Sequence, residues 1–107
     1  MFDHIGYAVG DFQASKAFYE KALAPLGITV VMEGEGWAMF GAGRPLLWIG
    51  SHGTPPGHGI HVAFAAKDRA TVRAFHAAAL AAGGRDNGGP GIRAHYHPNY
   101  YRAFVFD

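Results

Sequence analysis

Two histidines, His4 and His61, open two stretches of this chain that nearly repeat each other: HIGYAVGDFQASKAF from residue 4 and HVAFAAKDRATVRAF from residue 61. A neutral imidazole offers one nitrogen to a divalent cation, and a pair of them with a carboxylate and open positions makes a Lewis-acid centre. The chain has no cysteine, so any metal must be held by histidines and carboxylates. The same pair also fits two imidazoles hydrogen-bonded within their sheets. A second pair, His95 and His97, lies in HYHPNYY, where an extended backbone would turn both rings to one side. Pro98 and Asn99 favour a loop there. Tyr96, Tyr100 and Tyr101 could line a pocket mouth and donate a hydrogen bond to substrate, or serve packing alone. Trp37, Phe40 and Trp48 suit a core or the lining of a cavity, with ring stacking on a ligand open to Trp37 and Trp48. His52 and His58 belong to a solvated linker, and Arg44, Arg93 and Arg102 are exposed cations that could meet an anionic substrate. The run GGRDNGGPG lacks the lysine and the strand-to-helix setting of a phosphate loop and reads as turn.

What must position the first pair is a repeated element. At an offset of 57, residues 4–24 and 61–81 agree at eight of 21 positions, including His4 with His61, Asp11 with Asp68 and Phe18 with Phe75. Self-similarity at a fixed offset points to an internal duplication. Each copy reads as a strand entering a helix. Ile5, Tyr7 and Val9 alternate with His4, Gly6 and Ala8, and Val62, Phe64 and Ala66 alternate with His61, Ala63 and Ala65. The bulky face is expected under the helix, and the small face is expected to leave room for a ligand. Asp11 and Asp68 stand at helix N-caps, and Gly27 and Gly83 close the helices.

Three further strands follow in the first copy, at 28–33, 37–40 and 45–50, giving βαβββ over residues 1–51. Residues 52–59 read as a linker, and 60–107 as the second module. After its helix, 68–82, the second module offers a short strand hidden in 83–91 and one strand at 100–106. A copy of the first would need one more.

Of the 107 residues, 50% are hydrophobic and 16% charged, which excludes a disordered chain. A net charge of +1 with scattered Lys and Arg disfavours nucleic acid and anionic membranes as partners. No apolar run is long enough to span a bilayer. A soluble cytoplasmic protein is the default expectation.

The opening FDHIGYAVGDFQASKAFYEKALAPLG, the stretch GIHVAFAAKDRATVRAF and the segment HYHPNYYRAFVFD together resemble the vicinal oxygen chelate superfamily of glyoxalases, bleomycin resistance proteins and extradiol dioxygenases. The resemblance implies an α+β fold of two βαβββ modules forming a curved mixed sheet around a cavity, the second module lacking its last strand. It also implies metal ligands at His4 and His61, holding Zn, Ni, Fe or Mn. The family's ligand position on the last strand of module one falls at or next to Trp48, which binds no metal. Substrate contacts are expected from Trp37, Trp48, His97, Tyr100 and Tyr101. Two functions follow: a metal-dependent lyase or dioxygenase acting on a small oxygen-bearing substrate, or a metal-free protein binding a small molecule in the groove of a homodimer.

Overall fold

The computed structural model describes residues 2–51, 60–92 and 101–107. His52, His58, Arg93, His95, Tyr96, His97 and Tyr100 lie outside the described residues.

Module one folds as its pattern requires. Strand β1 (Ile5–Ala8) leads to helix α1 (Phe12–Ala22), then to β2 (Thr29–Gly34), β3 (Trp37–Gly41) and β4 (Pro45–Gly50). The sheet order is β1-β4-β3-β2. β4 runs parallel to β1 and antiparallel to β3, so it lies between them and is hydrogen-bonded on both sides. Asp11 caps α1, its carboxylate accepting the Ala14 N–H at 3.1 Å. The helix ends before Gly27. Pro25 has no N–H to offer the Lys21 carbonyl, so α1 stops at Ala22, a 3-10 turn covers Ala24–Leu26, and Gly27, at φ 73°, closes that turn.

Alternation decides which face is buried. Ile5 and Tyr7 of β1 and Val9 just after it, Leu47 and Ile49 of β4, and Ala38 and Phe40 of β3 turn toward Phe12, Phe18, Tyr19 and Ala22 of α1. Ala38, Phe40 and Ile49 are fully buried. Full burial of a Phe or Ile side chain contributes roughly 1.5–3 kcal/mol. Two irregularities interrupt the ladders. A register shift between Val30 and Met32 makes a bulge in the edge strand β2, and another falls between Phe40 and Gly41. At Gly41 the carbonyl oxygen of Arg44 would lie 1.8 Å from any Cβ, so the β3–β4 turn requires glycine.

Module two departs from its expected copy. Helix α2 (Arg69–Ala81) forms, capped by Asp68, which accepts the Thr71 N–H at 2.7 Å and the Thr71 hydroxyl at 2.6 Å. These two bonds, the hydroxyl's first, hold the Asp68 carboxyl below its ordinary pKa. The strand expected at 61–66 joins no ladder, although Val62, Phe64 and Ala66 are half-buried and His61, Ala63 and Ala65 exposed, the alternation of a strand. In module one the equivalent strand is held by β4. Among the described residues module two has no strand in β4's place.

The strand expected at 100–106 is also broken. It forms β7 (Tyr101–Arg102) and β8 (Val105–Phe106), which pair antiparallel with β6 (Gly91–Ile92) and β5 (Arg85–Asp86). Asn87 N–H to Phe104 O at 3.0 Å and Phe104 N–H to Gly88 O at 2.7 Å join the two short ladders into one interrupted hairpin. The 87–90 side, rich in glycine and proline, carries extra residues, and this offset breaks the pairing. Among the described residues no helix is long and apolar enough to cross a membrane.

Candidate functional site

The small-residue face of module one is paved with indoles. The register puts Gly6, Trp48, Met39 and Met32 in one row across the sheet, and Ala8, Gly50, Trp37 and Gly34 in the next. A Cβ at Gly6 would meet Trp48 Cβ at 3.0 Å and Cε3 at 3.2 Å, and one at Gly50 would meet Cη2 at 2.4 Å. The Trp48 indole therefore lies flat along the sheet, using the space that these glycines leave. The Trp37 ring covers Gly34 in the same way, its Nε1 2.3 Å from where a Cβ would stand. The room expected beside His4 is thus partly filled by the chain's own tryptophan. What remains is a half-buried platform of two indoles and Met39, bordered by Met32 at 52% exposure.

His4 precedes β1 and is exposed. Its Nδ1 lies 2.8 Å from Asp3 Oδ1, and Arg44 approaches the same carboxylate at 3.8 Å while donating to the Asp3 carbonyl oxygen at 2.7 Å. The His4 hydrogen bond first, and the Arg44 charge second, hold the Asp3 carboxyl below its ordinary range. His61 is also exposed, its ring edge-on to Phe104 with centroids 6.2 Å apart. His61 lines a cavity between the modules that His4 does not line. Among the described residues no three histidine or carboxylate side chains group as metal ligands would.

Tyr101 sits on module two. Its hydroxyl accepts from Arg73 Nη1 at 3.4 Å, and the Arg69 guanidinium stands 5.0 Å over its ring. The structure thus brings Trp37 and Trp48 together and leaves Tyr101 against α2.

The cavity holds about 970 Å³ and lies on the helix side of the sheet, opposite the indoles. One corner is polar, a group that pattern reading missed. The Tyr7 and Tyr19 hydroxyls are hydrogen-bonded, and Tyr19 donates to Asp107 Oδ2 at 2.5 Å. Burial first, then the Asp107 and Tyr7 bonds, raise the Tyr19 phenol well above its ordinary pKa; burial is also the main cause of the rise at Tyr7. A tyrosine on the core face of a strand was the available signal, because a buried hydroxyl needs a partner.

The glyoxalase/bleomycin resistance protein/dioxygenase superfamily model matches residues 1–107. The chain belongs to this superfamily. A crystal structure of a glyoxalase/bleomycin resistance protein from Albidiferax ferrireducens T118 superposes on it with a TM-score of 0.88 and 31% identity, covering 100% of this chain and 90% of that one. No curated protein matches. As a superfamily member, the chain shares with that relative a fold on which the site, not the architecture, decides the chemistry.

Proposed function

We propose that this glyoxalase/bleomycin resistance superfamily member binds a planar, apolar small molecule on the face formed by Trp37, Met39 and Trp48, without metal chemistry. The observation that supports this is the pair of half-buried indoles laid flat on glycines of one sheet, with thioethers at their border. An aromatic ligand stacked there gains roughly 0.5–1.5 kcal/mol per ring pair beyond its area burial, and sulfur–aromatic contacts add about 0.3–1.5 kcal/mol. A second copy closing over this face would turn the platform into a groove, so a homodimer belongs to the same reading. Sedimentation should give a dimer mass, and a monomer at working concentration contradicts that part.

The test is a tryptophan-fluorescence titration with bleomycin and smaller planar heteroaromatic compounds. Saturable quenching is expected, with affinity about tenfold weaker in Trp48→Leu. A folded protein that shows no quenching with any of them removes the proposal.

A second reading has one observation in its favour. Asp3 engages Nδ1 of His4, which fixes the imidazole and leaves Nε2 as the donor, the arrangement commonly found behind metal-ligating histidines. On this reading His4 and His61 hold a divalent cation, Zn, Ni, Fe or Mn, which would supply Lewis acidity to a lyase or dioxygenase. Equilibrium dialysis with elemental analysis separates the readings: metal bound stoichiometrically, and lost in the His4→Ala, His61→Ala double variant, favours the second.

A further inference from the structure

The indole platform is polar at both ends of its strands, and the two ends differ in charge. On β4, Leu46, Trp48 and Gly50 alternate with the core residues Leu47 and Ile49, so half-buried Leu46 continues the platform face toward the start of the strand. On β1 the same alternation puts His4 on the side of Gly6 and Ala8. Arg44, which leads into β4, closes this end. Its Nη1 donates to the Asp3 carbonyl oxygen at 2.7 Å, which carries the guanidinium from the β3–β4 turn across to the start of β1. Beyond the row of Gly34, Trp37, Gly50 and Ala8, the other end is the turn at 34–36, where exposed Glu35 supplies a carboxylate.

Asp3 does not cancel the Arg44 charge. The short bond of Arg44 goes to a neutral carbonyl oxygen, while the Asp3 carboxylate stands 3.8 Å off and is held by His4 Nδ1 at 2.8 Å. The Arg44 and Asp3 side chains are 55% and 86% exposed, so solvent screens their attraction. Among the described residues the contacts of Arg44 use Nη1 alone. Nη2 and Nε form the other side of the planar fork, the side-by-side pair of donors that a carboxylate accepts in bidentate fashion. This end lies two residues along the strand from the row of Gly6 and Trp48, roughly 6.6 Å at the rise of an extended chain.

We propose that the ligand whose planar part lies on the indoles is an aromatic carboxylate with a short arm, and that Arg44 is the specificity-determining residue that receives its acid group on Nη2 and Nε. The inference rests on the ligand reading above and supplies the polar end of that site. Leu46 forms an apolar floor under the arm, and Glu35 disfavours the reverse orientation. Asp3 competes with the ligand carboxylate for the guanidinium, so the site is tuned by a carboxylate of its own.

The probes are naphthylpropionate and naphthylpropionamide, which share ring and arm and differ in charge, each titrated calorimetrically into the full 107-residue protein at low ionic strength. The acid should bind about tenfold more tightly than the amide, and the difference should shrink as salt is added. Arg44→Gln should remove the acid's preference and leave the affinity for the amide unchanged, which also shows that the variant is folded. Arg44→Lys keeps the charge and loses the fork, so it should retain part of the preference. Asp3→Asn should tighten the acid about threefold and leave the amide unchanged, a gain that a merely structural role for Arg44 does not produce. Trp48→Leu should weaken both probes alike. Equal binding of acid and amide, or an acid preference that survives Arg44→Gln, overturns this inference and leaves the platform standing. Binding of neither probe to the folded protein overturns the platform and this inference together.

Discussion

Trp48 and the two glycines beneath it carry the sharpest residue-level test. Gly50→Ala puts a methyl group 2.4 Å from the indole, so the ring must lift off the sheet. Overpacking of this kind costs about 1–3 kcal/mol, and Trp48 emission should shift to the red, as steady-state fluorescence and chemical unfolding will show. The residue types were legible in the sequence, which singled out Trp37 and Trp48 as candidate ligand contacts. The seat of Trp48 was not, because it depends on the register between β1 and β4, strands separated by the whole of α1, β2 and β3. Tyr19 makes a second test. Its folded pKa lies above that of the unfolded chain, so the stability it contributes is fully present below about pH 10 and declines as pH rises beyond it. The unfolding free energy should therefore fall above pH 10, and less steeply in Tyr19→Phe, in alkaline denaturant titrations.

Local pattern named the strands of module one almost to the residue, since alternation and turn chemistry agree there, whereas α1 ends at Ala22 and not at Gly27. Asp11 and Asp68 cap their helices as their spacing indicated, and β4 begins and ends where PLLWIG does. The same alternation at 61–66 correctly gave which side chains face inward, yet gave no sheet. Periodicity reports which side of a segment is buried, whereas a ladder needs a neighbour, and that neighbour cannot be read from the segment itself. Hydrogen exchange should separate the two segments clearly. Amides of β4, paired on both sides, should exchange only on global opening, whereas those of 61–66 should exchange orders of magnitude faster in the native state.

Across the whole molecule the stability is unevenly held. The largest fully buried side chains, Leu23, Phe40, Leu47 and Ile49, belong to module one, while α2 adds Ala79 to the same core and packs Phe75 against it. Phe40→Ala should cost about 3–5 kcal/mol and unfold both modules in one transition, measurable by denaturant titration. The sequence repeat of His4, Asp11 and Phe18 with His61, Asp68 and Phe75 was legible, and the resemblance it supported led correctly to the superfamily. How the modules meet, with α1 and its 3-10 turn against α2, depends on contacts between distant segments and left no trace in the local pattern.

The bulge in β2 has a bearing on how copies of this chain can meet. β2 is one edge of the first sheet, and an even, apolar edge would invite another chain to extend the ladder into a fibre-forming stack. The register break between Val30 and Met32 spoils the hydrogen-bond spacing that such growth requires. Glu33, drawn to Lys16 at 3.0 Å, adds a carboxylate to the same edge. Together they act as a gatekeeper that closes this edge to ladder growth from another chain.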